Sequence, residues 1–100
     1  MTKLYLSGKI SDPDPEKKKA YLQLFHDEEK RLSKQEYYDI INPASLEGEC
    51  CSYEDYLARD ILIITEQHPE IWLLPNWKDS PGARIEVALA KRLGLKIHNE

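Results

Sequence analysis

Two carboxylates in this chain fall where helical spacing asks for apolar side chains. In the run Trp77-Lys78-Asp79-Ser80-Pro81-Gly82-Ala83-Arg84-Ile85-Glu86, Ser80 suits an N-cap, Pro81 fills a first-turn position that needs no N–H, and Gly82 leaves the backbone open to a ligand. Amides exposed at such a helix start favour an anion. Gly82, Ile85, Glu86, Leu89, Ala90 and Leu93 then recur at helical spacing, so Glu86 falls inside the apolar stripe. An idle charge is costly there, which favours a working carboxylate over the solvated glutamate more usual on helices. Asp60 stands in the same relation to Tyr53, Tyr56, Leu57, Ile61 and Ile64. Its alternatives are a place at the edge of the stripe or a pairing with Arg59 or Arg84. Two such carboxylates can divide acid and nucleophile duties, because burial and mutual proximity raise the pKa of one of them.

The elements that must position these groups alternate along the chain. Lys3 to Ser7 reads as a short strand with Gly8 at its carboxyl end. The polar turn Ser11-Asp12-Pro13-Asp14-Pro15 leads into a helix capped by Asp14, running to about Lys34 with Tyr21, Leu24, Phe25 and Leu32 inward. Tyr37 to Ile41 is a second strand, ended by Asn42-Pro43, and the Gly48 region is a loop. Ser52, with Asp55 three residues on, opens the helix that carries Asp60. Glu70 to Leu74 suits the centre of a parallel sheet and ends at Pro75. The Ser80 helix stops at Gly94, and Leu95 to His98 gives a last short strand.

This alternation predicts an α/β fold: a small three-layer, flavodoxin- or Rossmann-like parallel sheet of order 2-1-3-4 with helices on both faces. Ligands in such sheets bind beyond the carboxyl ends of the strands, which puts the crevice between strands one and three. Tyr5, Ser7, the segment Trp77 to Ser80 and both helical carboxylates could converge there. Plainer roles stand beside these. Tyr5 also reads as a core tyrosine, Trp72 as packing, Ser80 as a cap first and Asp79 as a favourable charge near a helix start. Trp77, in the loop above the sheet, is the better candidate to stack on a base.

One hundred residues fit a single domain spanning 1–100, with a core small enough that a homodimer is expected. A net charge of −4 argues against polymeric nucleic acid or an acidic membrane as partner, but leaves a small-molecule nucleoside or nucleotide open. Apolar runs such as Ile61 to Ile64 are far short of a membrane span and no leader is evident, so a soluble, cytoplasmic protein is expected. Cys50 and Cys51 are adjacent, unlike a zinc or disulfide framework, and read as reduced and structural. His26, His68 and His98 are scattered, and neither a metal nor a cofactor is expected. The runs Lys17-Lys18-Lys19 and Asp27-Glu28-Glu29-Lys30-Arg31 read as solvated helix faces.

Tyr5-Leu6-Ser7-Gly8 on the first strand, Asp60 on the middle helix and Ser80-x-Gly82-x-x-x-Glu86 together resemble the nucleoside 2-deoxyribosyltransferase-like superfamily, which includes the 2′-deoxynucleoside 5′-phosphate N-hydrolases. The likeness covers nearly the whole chain. It extends to a short branch of phage and bacterial proteins through Leu74-Pro75-Asn76-Trp77, Ser80-Pro81-Gly82-Ala83 and the Leu93-Gly94-Leu95 ending. The resemblance implies that Glu86 is the nucleophile attacking the anomeric carbon of a deoxyribose. It likewise implies that Asp60 protonates or steers the departing base and that the Tyr5 hydroxyl holds the nucleophile. Ser80 and the Gly82 amide would meet the sugar or 5′-phosphate, with Ser7, Gly8, Lys9, Trp77 and Asp79 completing the candidate substrate site. The chain departs from the N-hydrolases after the first strand. Gly8-Lys9-Ile10-Ser11-Asp12-Pro13 has one glycine and no arginine where those enzymes carry a glycine- and arginine-rich phosphate loop, and Lys9 is the candidate substitute.

The expected activity is therefore N-glycosidic cleavage, or base exchange, on a 2′-deoxynucleoside or its monophosphate. The alternative is a catalytically silent protein that keeps the crevice and sequesters or senses a nucleotide-like metabolite. A purely structural or partner-binding role is the third reading, since fold alone does not imply function.

Overall fold

The computed structural model of the chain describes residues 1–35, 37–46 and 52–100. Cys50, Cys51 and Gly48, read above as reduced cysteines and a loop, lie outside the described residues. The elements run β1 (Thr2–Ser7), α1 (Pro15–Leu32), β2 (Tyr38–Ile41), α2 (Tyr53–Gln67), β3 (Glu70–Leu73), α3 (Pro81–Leu93) and β4 (Ile97–His98), with 3-10 turns at Pro43–Leu46 and Trp77–Asp79. The four strands form one parallel sheet in the expected order β2-β1-β3-β4.

Each helix begins where its cap chemistry allows. The Asp14 carboxylate accepts the Glu16 N–H at 3.0 Å, and Ser80 Oγ accepts the Ala83 N–H at 3.1 Å. Ser52 and Asp55 exchange side-chain-to-backbone bonds at 3.2 and 3.1 Å, a complete capping box. Helix α1 stops at Leu32 rather than Lys34, because Ser33 closes it by donating its N–H to the Glu29 carbonyl at 2.8 Å. Leu95 does not open the last strand. Its N–H donates to the Ala90 carbonyl at 2.9 Å, completing the end of α3, and strand pairing begins only at Ile97.

The two faces of the sheet are set by alternation along β1. Leu4 and Leu6 pack with Phe25, Leu32, Ala44 and Leu74 beneath α1. Tyr5 points the other way and packs with Ile64 of α2, Ile71 and Leu73 of β3, and Val87 and Ala90 of α3. Helix α1 thus covers one face, and α2 with α3 the other. Three residues expected to face inward do not, the first being Tyr53, 44% exposed in the first turn of α2. Leu24 is exposed, because the buried stripe of α1 runs through Phe25 and Leu32 with Leu22 packed against it. Ile85 is exposed as well, because the stripe of α3 centres on Ala83, Glu86, Val87 and Ala90, which turns Ile85 off the sheet. No helix among the described residues is long and apolar enough to cross a membrane.

Candidate functional site

Period-2 alternation that buries Leu4 and Leu6 under α1 also sends Tyr5 and Ser7 toward α3, one turn past its start. There they meet Glu86. The Ser7 hydroxyl donates to Oε1 at 3.0 Å, and the Tyr5 hydroxyl to Oε2 at 3.3 Å. Tyr5 and Ser7 are fully buried and Glu86 is 5% exposed. Asp60, 7% exposed on α2, lies close enough for its charge to act on the same phenol. Both carboxyl groups open on the same cleft.

The carboxyls are held differently. Arg59 donates through Nε and Nη2 to one Asp60 oxygen at 3.0 and 2.8 Å, while its Nη1 donates to the Leu46 carbonyl at 2.9 Å. Its guanidinium lies over the Tyr56 ring, 5.2 Å from the centroid. Of the partners weighed for Asp60, the structure selects Arg59. Glu86 is hydrogen-bonded by two hydroxyls and gains only a more distant attraction from Arg59. Burial, followed by the Asp60 charge, pushes its pKa from 4.5 up to about 8, against the opposing pull of the Ser7 and Tyr5 hydrogen bonds and of Arg59. The Tyr5 hydroxyl is pushed well above its ordinary value, by burial first and then by the Glu86 and Asp60 charges.

These groups line one cleft at the carboxyl end of β1, with ≈ 620 Å³ of empty space counted out to its open mouth. Tyr5 and Glu86 lie in it with Asp60 and Arg59 on one side, Ser80 to Ala83 on another, and Gly8 to Ser11 on a third. Tyr53, Tyr56 and Leu57 of α2 supply apolar wall. A Cβ on Gly82 would stand 2.8 Å from the Tyr53 hydroxyl oxygen, so glycine lets α2 and α3 approach there. The Tyr53 pKa is raised by partial burial and by the Glu86 and Glu54 charges, with the Gly82 N–H acting the other way. Lys9 faces the cleft, 3.9 Å from an Asp12 oxygen and 5.6 Å from the Tyr21 ring centroid. No cluster of His, Cys, Asp and Glu among the described residues could hold a metal ion.

Tyr5, Gly8, Lys9, Asp60, Ser80, Gly82 and Glu86 line the cleft as the sequence suggested, and Ser7 grips Glu86 without lining it. Trp77 and Asp79 are not among the lining residues. Trp77 is half-buried against the core cluster of Tyr5, Ile71 and Val87, so the stacking role expected of it finds no support in its placement. Asp79 is exposed in the 3-10 turn before α3.

The cleft is lined by the segment that follows β1, Gly8 to Ser11, and by the one that follows β3, Ser80 to Ala83 with Glu86. Asn76 clasps the loop after β1, its Oδ1 accepting the Lys9 N–H at 3.0 Å, and a Cβ on Gly8 would stand 2.9 Å from that oxygen. The loops leaving β1 and β3 are thus tied together, and the exit of β2 adds Pro43 to the lining. Arg59, Asn76, Tyr53 and Tyr56 were not singled out as site residues. The signal for the first was its adjacency to Asp60. For Asn76 none existed, because its partner is 67 residues away.

No curated protein and no solved structure matches the chain. A family model described as a domain of unknown function (DUF4406) matches residues 2–99, nearly the whole sequence, and the chain with its paired-carboxylate cleft belongs to that family.

Proposed function

We propose that the cleft breaks the N-glycosidic bond of a 2′-deoxynucleoside or its 5′-monophosphate, releasing or exchanging the base, with Glu86 as nucleophile and Asp60 on the leaving-group side. The observation that carries this reading is a pair of buried carboxyls, Glu86 and Asp60, that open on the same cleft, with Glu86 held by the Tyr5 and Ser7 hydroxyls. Departure of a base leaves an oxocarbenium-like carbon, which one carboxylate captures while the other delivers a proton to the base nitrogen. The resemblance of Tyr5-Leu6-Ser7-Gly8, Asp60 and Ser80-x-Gly82-x-x-x-Glu86 to the nucleoside 2-deoxyribosyltransferase-like superfamily points to the same chemistry. Lys9 and Arg59 both line the cleft and would be the cations available to a 5′-phosphate.

Water as acceptor gives hydrolysis, and a second base gives transfer. The test is incubation of the purified protein with the common deoxynucleosides and their monophosphates, reading free base by chromatography. Base release that Glu86→Ala abolishes is the expected result. Folded protein that releases none overturns the reading, and a nucleotide retained in native mass spectra without turnover favours the sequestering alternative. The same likeness carries the expectation of a homodimer, which light scattering decides.

A further inference from the structure

A 5′-monophosphate carries up to two negative charges at neutral pH and needs cations or N–H groups that are not already engaged. Among the described residues the cleft offers two cations, Lys9 and Arg59, and each already faces a carboxyl group. Arg59 gives Nε and Nη2 to Asp60 and Nη1 to the Leu46 carbonyl. Lys9 Nζ lies 3.9 Å from Asp12 Oδ2. Asp12 is itself fixed, because its other oxygen accepts the Asp14 N–H at 2.9 Å in the turn where Asp14 caps α1. Its side chain is 15% exposed, so water screens the pair only in part. Backbone donors are engaged as well. The Lys9 N–H goes to Asn76 Oδ1. At the start of α3, Pro81 has no N–H, and Ser80 takes those of Ala83 and Arg84, through its Oγ at 3.1 Å and its carbonyl oxygen at 3.0 Å. Of that first turn only the Gly82 N–H is not taken by Ser80.

We propose that Asp12 is a specificity residue: by holding Lys9 it admits the free 5′-hydroxyl of a nucleoside to the cleft and turns a 5′-phosphate away. This rests on the activity proposed above and narrows it to the unphosphorylated substrate. A hydroxyl both donates and accepts, so it can join Lys9 and Asp12 without parting them. A phosphate has to draw Lys9 from Asp12 and then leaves that carboxylate facing its own charge, a like-charge contact that costs affinity. The rest of the wall offers no compensation. Phe25, Tyr53 and Leu57 suit a sugar and a base rather than a dianion.

The test reads a ratio. kcat/KM for base release is measured with the common deoxynucleosides and with their 5′-monophosphates, in the wild-type protein and in Asp12→Asn. Asparagine keeps a side-chain oxygen to accept the Asp14 N–H and removes the charge. Wild type should favour the nucleoside on the order of 10-fold or more, and Asp12→Asn should shift the ratio toward the monophosphate by a similar factor. Adding Lys9→Met to Asp12→Asn should take that shift away. A merely structural role for Asp12 would slow both substrates alike, so a ratio that does not move overturns the proposal. A wild-type preference for the monophosphate, or a shift that survives Lys9→Met, overturns it too. If no base is released from any substrate, the proposed activity fails, and calorimetric titration of the same nucleosides and monophosphates reads the ratios as dissociation constants. A nucleoside preference that Asp12→Asn removes then upholds the inference. Equal or tighter binding of the monophosphate by the wild type, or binding of neither, overturns it.

Discussion

Replacing Glu86 by glutamine should abolish a large part of the pH dependence of stability, and the size can be worked from the site. The native carboxyl holds its proton up to about pH 8, whereas its ordinary value is 4.5. A folded-state pKa above the unfolded one means that the native state binds the proton more tightly. The resulting stabilisation is full below the ordinary value and falls away as pH rises through the native one. Between those limits the slope approaches ~1.4 kcal/mol per pH unit for one proton, and the whole window amounts to about 5 kcal/mol. For a domain of this length that rivals the entire folding free energy. Glutamine keeps the shape and the hydrogen-bonding capacity of a protonated carboxyl but cannot ionise. Urea unfolding of both proteins at unit steps from pH 5 to pH 8 gives the two stabilities, and their difference cancels every contribution the two proteins share. Wild type should lose ground steadily to Glu86→Gln as pH rises. A difference that is flat with pH would show that Glu86 ionises at its ordinary value and would refute its burial energetics.

Two further perturbations probe the scaffold. Gly8→Ala places a Cβ 2.9 Å from both Asn76 Oδ1 and the Cβ of buried Leu74, so the clasp between the β1 and β3 exits must open. A loss of ~1–3 kcal/mol in chemical unfolding is expected, and an unchanged midpoint would mean that the loops yield freely. Ser80→Ala removes the acceptor of the Ala83 N–H at the start of α3. It should cost about 1 kcal/mol, or roughly 4–8 °C in the melting midpoint, and a melting curve that coincides with wild type would show the cap to be dispensable.

Much of the fold was legible because local and global signals agree. Asp14, Ser52 and Ser80 are good caps in front of amphipathic runs, and each one does cap a helix. The carboxylates were legible for a related reason, since Glu86 and Asp60 interrupt stripes that would otherwise be apolar, and both are buried. Boundaries were less so. Leu95 has the composition of a strand residue, but its N–H is taken by the Ala90 carbonyl as the helix closes. Trp77 could not be oriented from sequence. A tryptophan in a loop can stack on a ligand or fill the core, and the packing of Ile71 and Val87 beside it decided for the core. The clasp by Asn76 and the hold of Arg59 on Leu46 depend on contacts between distant segments, which periodicity does not encode.

Mass spectrometry of the protein quenched in acid during turnover of a deoxynucleoside tests the central claim most directly. A covalent deoxyribosyl adduct should map to the α3 peptide at Glu86 and disappear in Glu86→Gln. Base release with no adduct on Glu86, or an adduct on another residue, would contradict its assignment as the nucleophile.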